Sequence, residues 1–181
     1  GVQTCALPIL DRLTRACSGD LPARPSDAWL NLPWPGQHKH HASHKGSHGD
    51  VAIIGGEPMA LHGMGMTGAA LLAAQAALHG GAGRVILSLL GAHAENPSAA
   101  ADIMQRAFEQ LDLSHLTVVA GCGGGQAIRS VLSDILQHSA RLVLDADGLN
   151  AVAENAELRA LLCARGDATG RATVITPHPL E

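Results

Sequence analysis

From Gly49 onward, apolar positions alternate between two textures. Short runs rich in Val, Ile and Leu occupy residues 51–54, 84–90, 116–120, 141–144 and 172–176, and each run ends at Gly, Asp or Pro. Runs this short, rich in β-branched residues and closed by turn formers, predict buried strands. The segments between them have helical character. Residues 66–78 are rich in Ala and Leu and close on Gly80 and Gly81. Residues 126–138 place Ile128, Val131, Leu132, Ile135 and Leu136 at helical spacing. Residues 99–111 and 149–164 also read as helices. Five strands alternating with helices predict βαβ units around a mostly parallel sheet, an α/β fold with three layers, αβα. The strands are apolar throughout rather than alternating, as expected when helices cover both faces. Such sheets bind ligands beyond the carboxyl ends of their strands. That rule directs attention to Gly55 and Gly56, to 121–125, to 145–150 and to 177–181.

Residues 1–42 differ. Pro8, Pro22, Pro25, Pro33 and Pro35 interrupt them and no long period survives, so they read as an irregular tail or linker ahead of a domain at 43–181. A short helical turn is expected at 11–16. Residues 1–9 do not match the rest of the chain in character and are expected to be foreign to the native fold.

Composition narrows the function. Hydrophobic residues make up 46% and charged residues 15% of the 181, enough to build a core. There are two Trp, one Phe and no Tyr, so the core must come from aliphatic residues, and base-stacking platforms are lacking. The net charge of −4 and the missing basic stripe argue against nucleic acid as a partner. Cys5, Cys17, Cys122 and Cys163 are scattered without a C-x-x-C pair, which suggests neither zinc nor a disulfide framework and fits a reducing cytoplasm. No stretch approaches the roughly 20 apolar residues that span a bilayer, and no signal-peptide pattern opens the chain.

Candidate chemistry gathers at the strand ends. Residues 45–50 lead into the first strand, and Gly55 and Gly56 follow it: a tight turn, or backbone opened to a ligand. Small residues at 66–73 open a helix, which suits close packing on the sheet or approach of a flat ligand to the positive end of the dipole. Gly121, Gly123, Gly124 and Gly125 around Cys122 form a loop suited to an anion. Gln126 breaks the dinucleotide fingerprint and no Walker A lysine follows, which disfavours a classical nicotinamide dehydrogenase. Asp145 ends a strand and projects toward the crevice, while Asp147 reads first as a helix cap. His178 stands between Pro177 and Pro179 on a stiff loop. His38, His40, His41, His44 and His48 lie in a polar segment without acidic or Cys partners and read as solvated rather than as a metal site.

In order and spacing these segments resemble one family. The segments are His44-Lys45-Gly46-Ser47-His48-Gly49, the strand with Gly55 and Gly56, Met66-Thr67-Gly68-Ala69-Ala70, Gly81-Ala82-Gly83, the loop at Gly121, Leu144-Asp145-Ala146-Asp147-Gly148-Leu149-Asn150, and Thr176-Pro177-His178-Pro179. Over about residues 43–181 the chain resembles NAD(P)H-hydrate dehydratases of the YjeF carboxy-terminal-domain type. The resemblance implies a ribokinase-like, Rossmann-like fold, here incomplete. It also implies a cytoplasmic repair lyase that returns hydrated NAD(P)H to NAD(P)H, with ADP or ATP as co-substrate and Mg²⁺ in attendance. It places Ala69, Gly123 and His178 against the hydrated dinucleotide, gives Gly121 and Gly125 the shaping of the loop, and sets Asp145 in the pocket wall. A homo-oligomer at full length and a fused epimerase domain upstream are further implications. Two positions depart from the family pattern: Cys122 stands where proline is usual, and Leu180 where glycine is. The family's nucleotide-binding Lys-Gly segment and its Gly-Gly-x-Gly-Asp motif, with the expected catalytic Asp, fall beyond Glu181. The expectation is therefore a chain cut off before its catalytic end, holding no catalytic residue of its own and inactive alone. The alternatives are a ribokinase-like kinase of a vitamin precursor and a non-catalytic nucleotide-binding fragment.

Overall fold

The computed structural model describes residues 41–91, 101–167 and 170–178. Two compact units divide the chain, Gly1–His41 with His178–Leu180, and Ala42–Pro177 with Glu181. The expected turn at 11–16, the distinct character of 1–9, and His38 and His40 lie outside the described residues. The second unit carries the sheet.

Six parallel strands, β1 (Asp50–Gly55), β2 (Arg84–Leu89), β3 (Met104–Gln105), β4 (Thr117–Ala120), β5 (Arg141–Asp145) and β6 (Thr173–Thr176), lie in the order β3-β2-β1-β4-β5-β6. Among the described residues, five helices accompany them: α1 (Met59–His62), α2 (Thr67–His79), α3 (Leu132–His138), α4 (Ala146–Glu154) and α5 (Ala156–Asp167). Alternate side chains of the strands face opposite layers. Ala52, Ile54, Ile86, Val118, Ala120, Leu142 and Leu144 pack with Leu132, Ile135 and Leu136 of α3, with Ala151 and Val152 of α4, and with Leu158 of α5. Ile53, Val85, Leu87 and Leu89 pack with Ala70 and Ala74 of α2 on the other side. The alanines let α2 lie close to the sheet; Ala70 and Ala74 are fully buried.

Three helix expectations need correction. Residues 101–111 are not helical: Met104–Gln105 forms β3 and Phe108–Gln110 a 3-10 turn. The outer edge of β2 carries backbone groups that need partners, and β3 supplies them through Ile86↔Met104 and Leu87↔Gln105. That pairing outweighs local helix propensity. The helix expected at 126–138 is a 3-10 turn (Ala127–Ser130) followed by α3, although its apolar face is buried as the spacing predicts. The helix expected at 149–164 starts earlier and breaks at Asn155. The Asn155 side-chain oxygen accepts from the amides of Glu157 and Leu158, and so caps α5 as a separate helix.

The strand order reverses between β1 and β4, so the connections leaving these two strands diverge and open a crevice at their carboxyl ends.

Candidate functional site

The crevice is built from four segments. Gly55, Gly56 and Glu57 leave β1, and Met66 to Ala69 start α2. Gly121 to Ala127 leave β4, and Asp145 to Asp147 join β5 to α4. The glycine loop is laced to its neighbours through the backbone. Gly121 N–H donates to Ile54 O at 3.1 Å, Gly56 N–H to Cys122 O at 3.1 Å, and Glu57 N–H to Gly123 O at 2.7 Å. Its glycines are required by space as well as by dihedral angle. At Gly123, φ is 59° and an added Cβ would lie 2.5 Å from Met66 O and 3.0 Å from Ala69 Cβ. Gly123 thus meets the start of α2 at Ala69. Gly68, one residue earlier, faces open space, so at that position close packing is not what the small residue serves.

Two loop amides are already committed to protein carboxylates. Gly125 N–H donates to Asp147 Oδ2 at 2.8 Å, and Ala127 N–H donates to Glu57 Oε1 at 2.8 Å. The anion-cradle reading of the loop is corrected in that respect: the carboxylates held by these two amides belong to the chain itself. Asp147 is likewise not the cap of α4. Asp145 occupies the N-cap position and Asp147 the first turn, from which it reaches Gly125. Ala146 between them has φ 42°, a conformation uncommon outside glycine, and this turn lets one carboxylate stay on the strand while the next drops to the loop.

Asp145 is held at both oxygens. Thr176 Oγ1 of β6 donates to Oδ1 at 2.7 Å, and the Cys122 thiol donates to Oδ2 at 3.4 Å. Burial, then the hydrogen bond to Asp145 and the charges of Asp145 and Asp147, push the Cys122 thiol up to about 12. It is therefore a protonated donor, not a nucleophile. At pH 8 a thiol of that pKa is only about 10⁻⁴ ionised, which makes it a poor target for alkylation. In a background with Cys5 and Cys17 replaced by serine, iodoacetamide at pH 8 is expected to label exposed Cys163 at least ~100-fold faster than half-buried Cys122. Comparable rates for the two thiols would contradict this protonation state.

Beside the loop lies a cavity of about 380 Å³ lined by Glu57, His62, Met66, Gly125, Arg129 and Asp147, among others. Glu57 is 3% exposed, and no sequence signal singled it out. Among the described residues, no group of three His, Cys, Asp or Glu is placed to hold a metal ion.

The structure therefore brings together Ala69, Gly121, Gly123, Gly125 and Asp145, with the carboxyl ends of β1, β4 and β5 as the common floor. His178 is exposed and belongs to the other unit. The segment at 45–49 is not at the crevice. It forms a 3-10 turn at the amino end of β1, where Lys45 O lies against Gly83 and Gly83 N–H donates to Gly49 O at 2.9 Å. There Asp50 pairs with Arg84, and the hydrogen bond from that guanidinium holds the Asp50 carboxyl below its usual pKa. The Lys45 and Gly83 segments, which carry part of the family resemblance, thus meet at the opposite end of the sheet.

Residues 51–181 match the protein family described as NAD(P)H-hydrate dehydratase. The chain is 35% identical over 147 residues to the ADP-dependent (S)-NAD(P)H-hydrate dehydratase of Neisseria meningitidis serogroup B, a match covering 77% of this chain and 46% of that protein. It is 34% identical over 152 residues to the bifunctional NAD(P)H-hydrate repair enzyme Nnr of Coxiella burnetii, covering 77% of this chain and 27% of that one. The chain thus spans less than half the length of either relative. A ribokinase-like superfamily protein of Enterococcus faecalis superposes with a TM-score of 0.61 at 20% identity, over 79% of this chain and 50% of that structure. At that identity the superposition speaks for the fold, a ribokinase-like α/β sheet.

Proposed function

The chain belongs to the NAD(P)H-hydrate dehydratase family, and from that premise we propose that its sheet domain is the substrate-holding part of an enzyme that repairs hydrated NAD(P)H. A phosphoryl group passes from ADP or ATP to the ring hydroxyl of the hydrate. The C–O bond then breaks with loss of phosphate, and a proton leaves the neighbouring ring carbon to restore NAD(P)H. The ADP dependence named for the Neisseria relative favours ADP as donor. Mg²⁺ would travel with the nucleotide phosphates; among the described residues no three His, Cys, Asp or Glu side chains gather to hold it.

The observation that carries this reading is the convergence of Gly123, Ala69 and the doubly held Asp145 carboxylate at the switch point of the sheet. Half-buried Ala69 offers a wall without bulk for a flat ring, and buried Gly123 lets the loop close against it. Asp145, fixed from both sides, is a stationary acceptor for a substrate hydroxyl. The catalytic base and the nucleotide site belong, on this proposal, to the family segment that comes after Thr-Pro-His-Pro. Among the described residues no helix is long and apolar enough to cross a membrane. A cytoplasmic setting, a homo-oligomer and an upstream epimerase partner are parts of the same proposal.

Calorimetric titration of the 181-residue chain with hydrated NADPH is expected to show binding, and incubation with ADP or ATP to show no turnover. Absence of binding would remove the substrate reading. Turnover would overturn the assignment of the base to a later segment. Tighter binding of a vitamin alcohol than of the hydrate would favour the small-molecule kinase.

A further inference from the structure

We propose that Glu57 is a positioning residue: it sets the glycine loop against the start of α2, and through that contact it tunes the affinity of the site for the hydrated dinucleotide. The inference rests on the family reading above for the identity of the ligand, but not for the contact itself.

Glu57 is where three of the site's segments meet. Its backbone N–H donates to Gly123 O at 2.7 Å, and its carbonyl accepts from Met66 N–H at 2.9 Å. One residue thus ties the middle of the loop to the residue that precedes α2. Its side chain then reaches past the loop: Oε1 accepts from Ala127 N–H and from His62 Nδ1, each at 2.8 Å. The carboxylate lies directly on Gly125. An added Cβ there would come within 2.1 Å of Oε2 and 2.6 Å of Cδ, at a backbone φ of 52°. Gly125 is therefore the space that the Glu57 carboxylate fills.

The geometry gives the group a task beyond satisfying an amide. The glycine loop has four glycines in five residues and almost no side chains with which to hold itself. Its position must be imposed from outside. Asp147 holds it from α4 through Gly125 N–H, and Glu57 holds it from β1 through Ala127 N–H. The two carboxylates grip the loop from the sides of two different strands. Only the Glu57 grip is continuous with Gly123 and Met66, the contacts that set the distance between loop and α2. His62, from the single turn α1, supplies the second donor and keeps the carboxylate turned toward Ala127. A charged acceptor 3% exposed is costly unless it is hydrogen-bonded, and here it holds two donors.

Amide hydrogen exchange tests the contact without any ligand, and titration with hydrated NADPH tests what the contact serves. In the 181-residue chain, Glu57→Ala is expected to speed exchange at Ala127 and Gly125 about 10–100-fold, while amides of β2 and β5 keep their protection. It should weaken hydrate binding by about 10-fold or more. Glu57→Gln keeps an acceptor oxygen of the same reach, so it should restore most of the loop protection and bind within about 3-fold of the parent. Glu57→Asp, one methylene shorter, should restore neither. Unchanged exchange at Ala127 in Glu57→Ala overturns the proposal. So does a uniform rise in exchange across the sheet, or a loosened loop with unchanged hydrate affinity. Should the parent chain bind no hydrate, the substrate reading falls, and the exchange comparison alone decides whether Glu57 positions the loop.

Discussion

Replacing Gly121 by alanine is expected to remove about 2–6 kcal/mol of the stability of the sheet domain, whereas the same change at Gly68 leaves it intact or slightly more stable. Gly121 follows β4 with φ 109°, outside the region any residue with a Cβ occupies comfortably. An added Cβ would stand 1.9 Å from Asp145 O, 2.7 Å from Gly148 N and 3.0 Å from Asp145 C. All three are backbone atoms of the β5–α4 junction, so no rotamer change relieves the contact. The loop and α4 would have to separate. Backbone strain of this kind costs about 1–3 kcal/mol, and overpacking in a closed interior adds about 1–3 kcal/mol more. Against a typical total of about 5–15 kcal/mol, the sum takes most of the stability of a marginal domain. Gly68 lies inside α2, where an added Cβ meets nothing. There alanine is expected to gain roughly 0.5–1 kcal/mol from helix propensity. Urea denaturation followed by circular dichroism compares the two. A Gly121→Ala chain that melts at a urea concentration close to the parent's would show that the loop does not press on the Asp145 carbonyl as described.

The pressure at Gly121 also explains what could be read from the sequence. Strands at 51–54, 84–90, 116–120, 141–144 and 172–176 announced themselves because buried parallel strands are apolar without interruption, and β1, β2, β4, β5 and β6 fall there within a residue. The loop at 121–125 was legible because nothing but a backbone demand explains four glycines after a strand. Elements fixed by distant partners were not. Strand β3 has two residues and no period to detect; the open edge of β2 creates it. Glu57 follows a glycine pair and precedes Pro58, so locally it reads as part of a turn. Its meaning comes from Ala127, seventy positions on. Asp147 shows the same limit at shorter range. Just ahead of the helix expected from Leu149, it looks like a cap, and only the folded loop shows that its acceptor is used on Gly125. The Lys45 segment leads into β1 as a 3-10 turn, and its close approach is to Gly83, at the amino ends of the strands.

Arg165→Met is expected to cost the domain about 3–5 kcal/mol, because several buried hydrogen bonds from one charged donor are lost together and their acceptors are left unpaired. Arg165 lies on α5 with 1% of its surface exposed. Its compensation is a set of oxygens. Nε donates to Thr173 Oγ1 at 2.8 Å, Nη1 to Ser139 O at 2.6 Å and to Leu136 O at 3.3 Å, and Nη2 to Ala140 O at 3.4 Å. Leu136 is in the last turn of α3, and Ser139 and Ala140 lead from it to β5, so the guanidinium sits at the negative end of a helix. Burial, with Arg171 nearby, lowers its pKa from the usual value, yet a guanidinium remains charged at neutral pH. Methionine fills similar space but leaves those carbonyls without their donor. Lysine is expected to recover less than half of the loss, because one ammonium cannot reproduce a planar fork aimed at four acceptors. For a chain of this size the loss corresponds to a melting temperature lower by roughly 6–20 °C. The effect should reach the crevice too. Thr173 begins β6 and Thr176 ends it, and Thr176 is what holds Asp145 Oδ1. Releasing the start of β6 from α5 therefore loosens the hydroxyl that fixes the Asp145 carboxylate. A methionine variant that melts within about 2 °C of the parent would mean that the α3 carbonyls find other donors, and that α5 does not anchor β6 through this side chain.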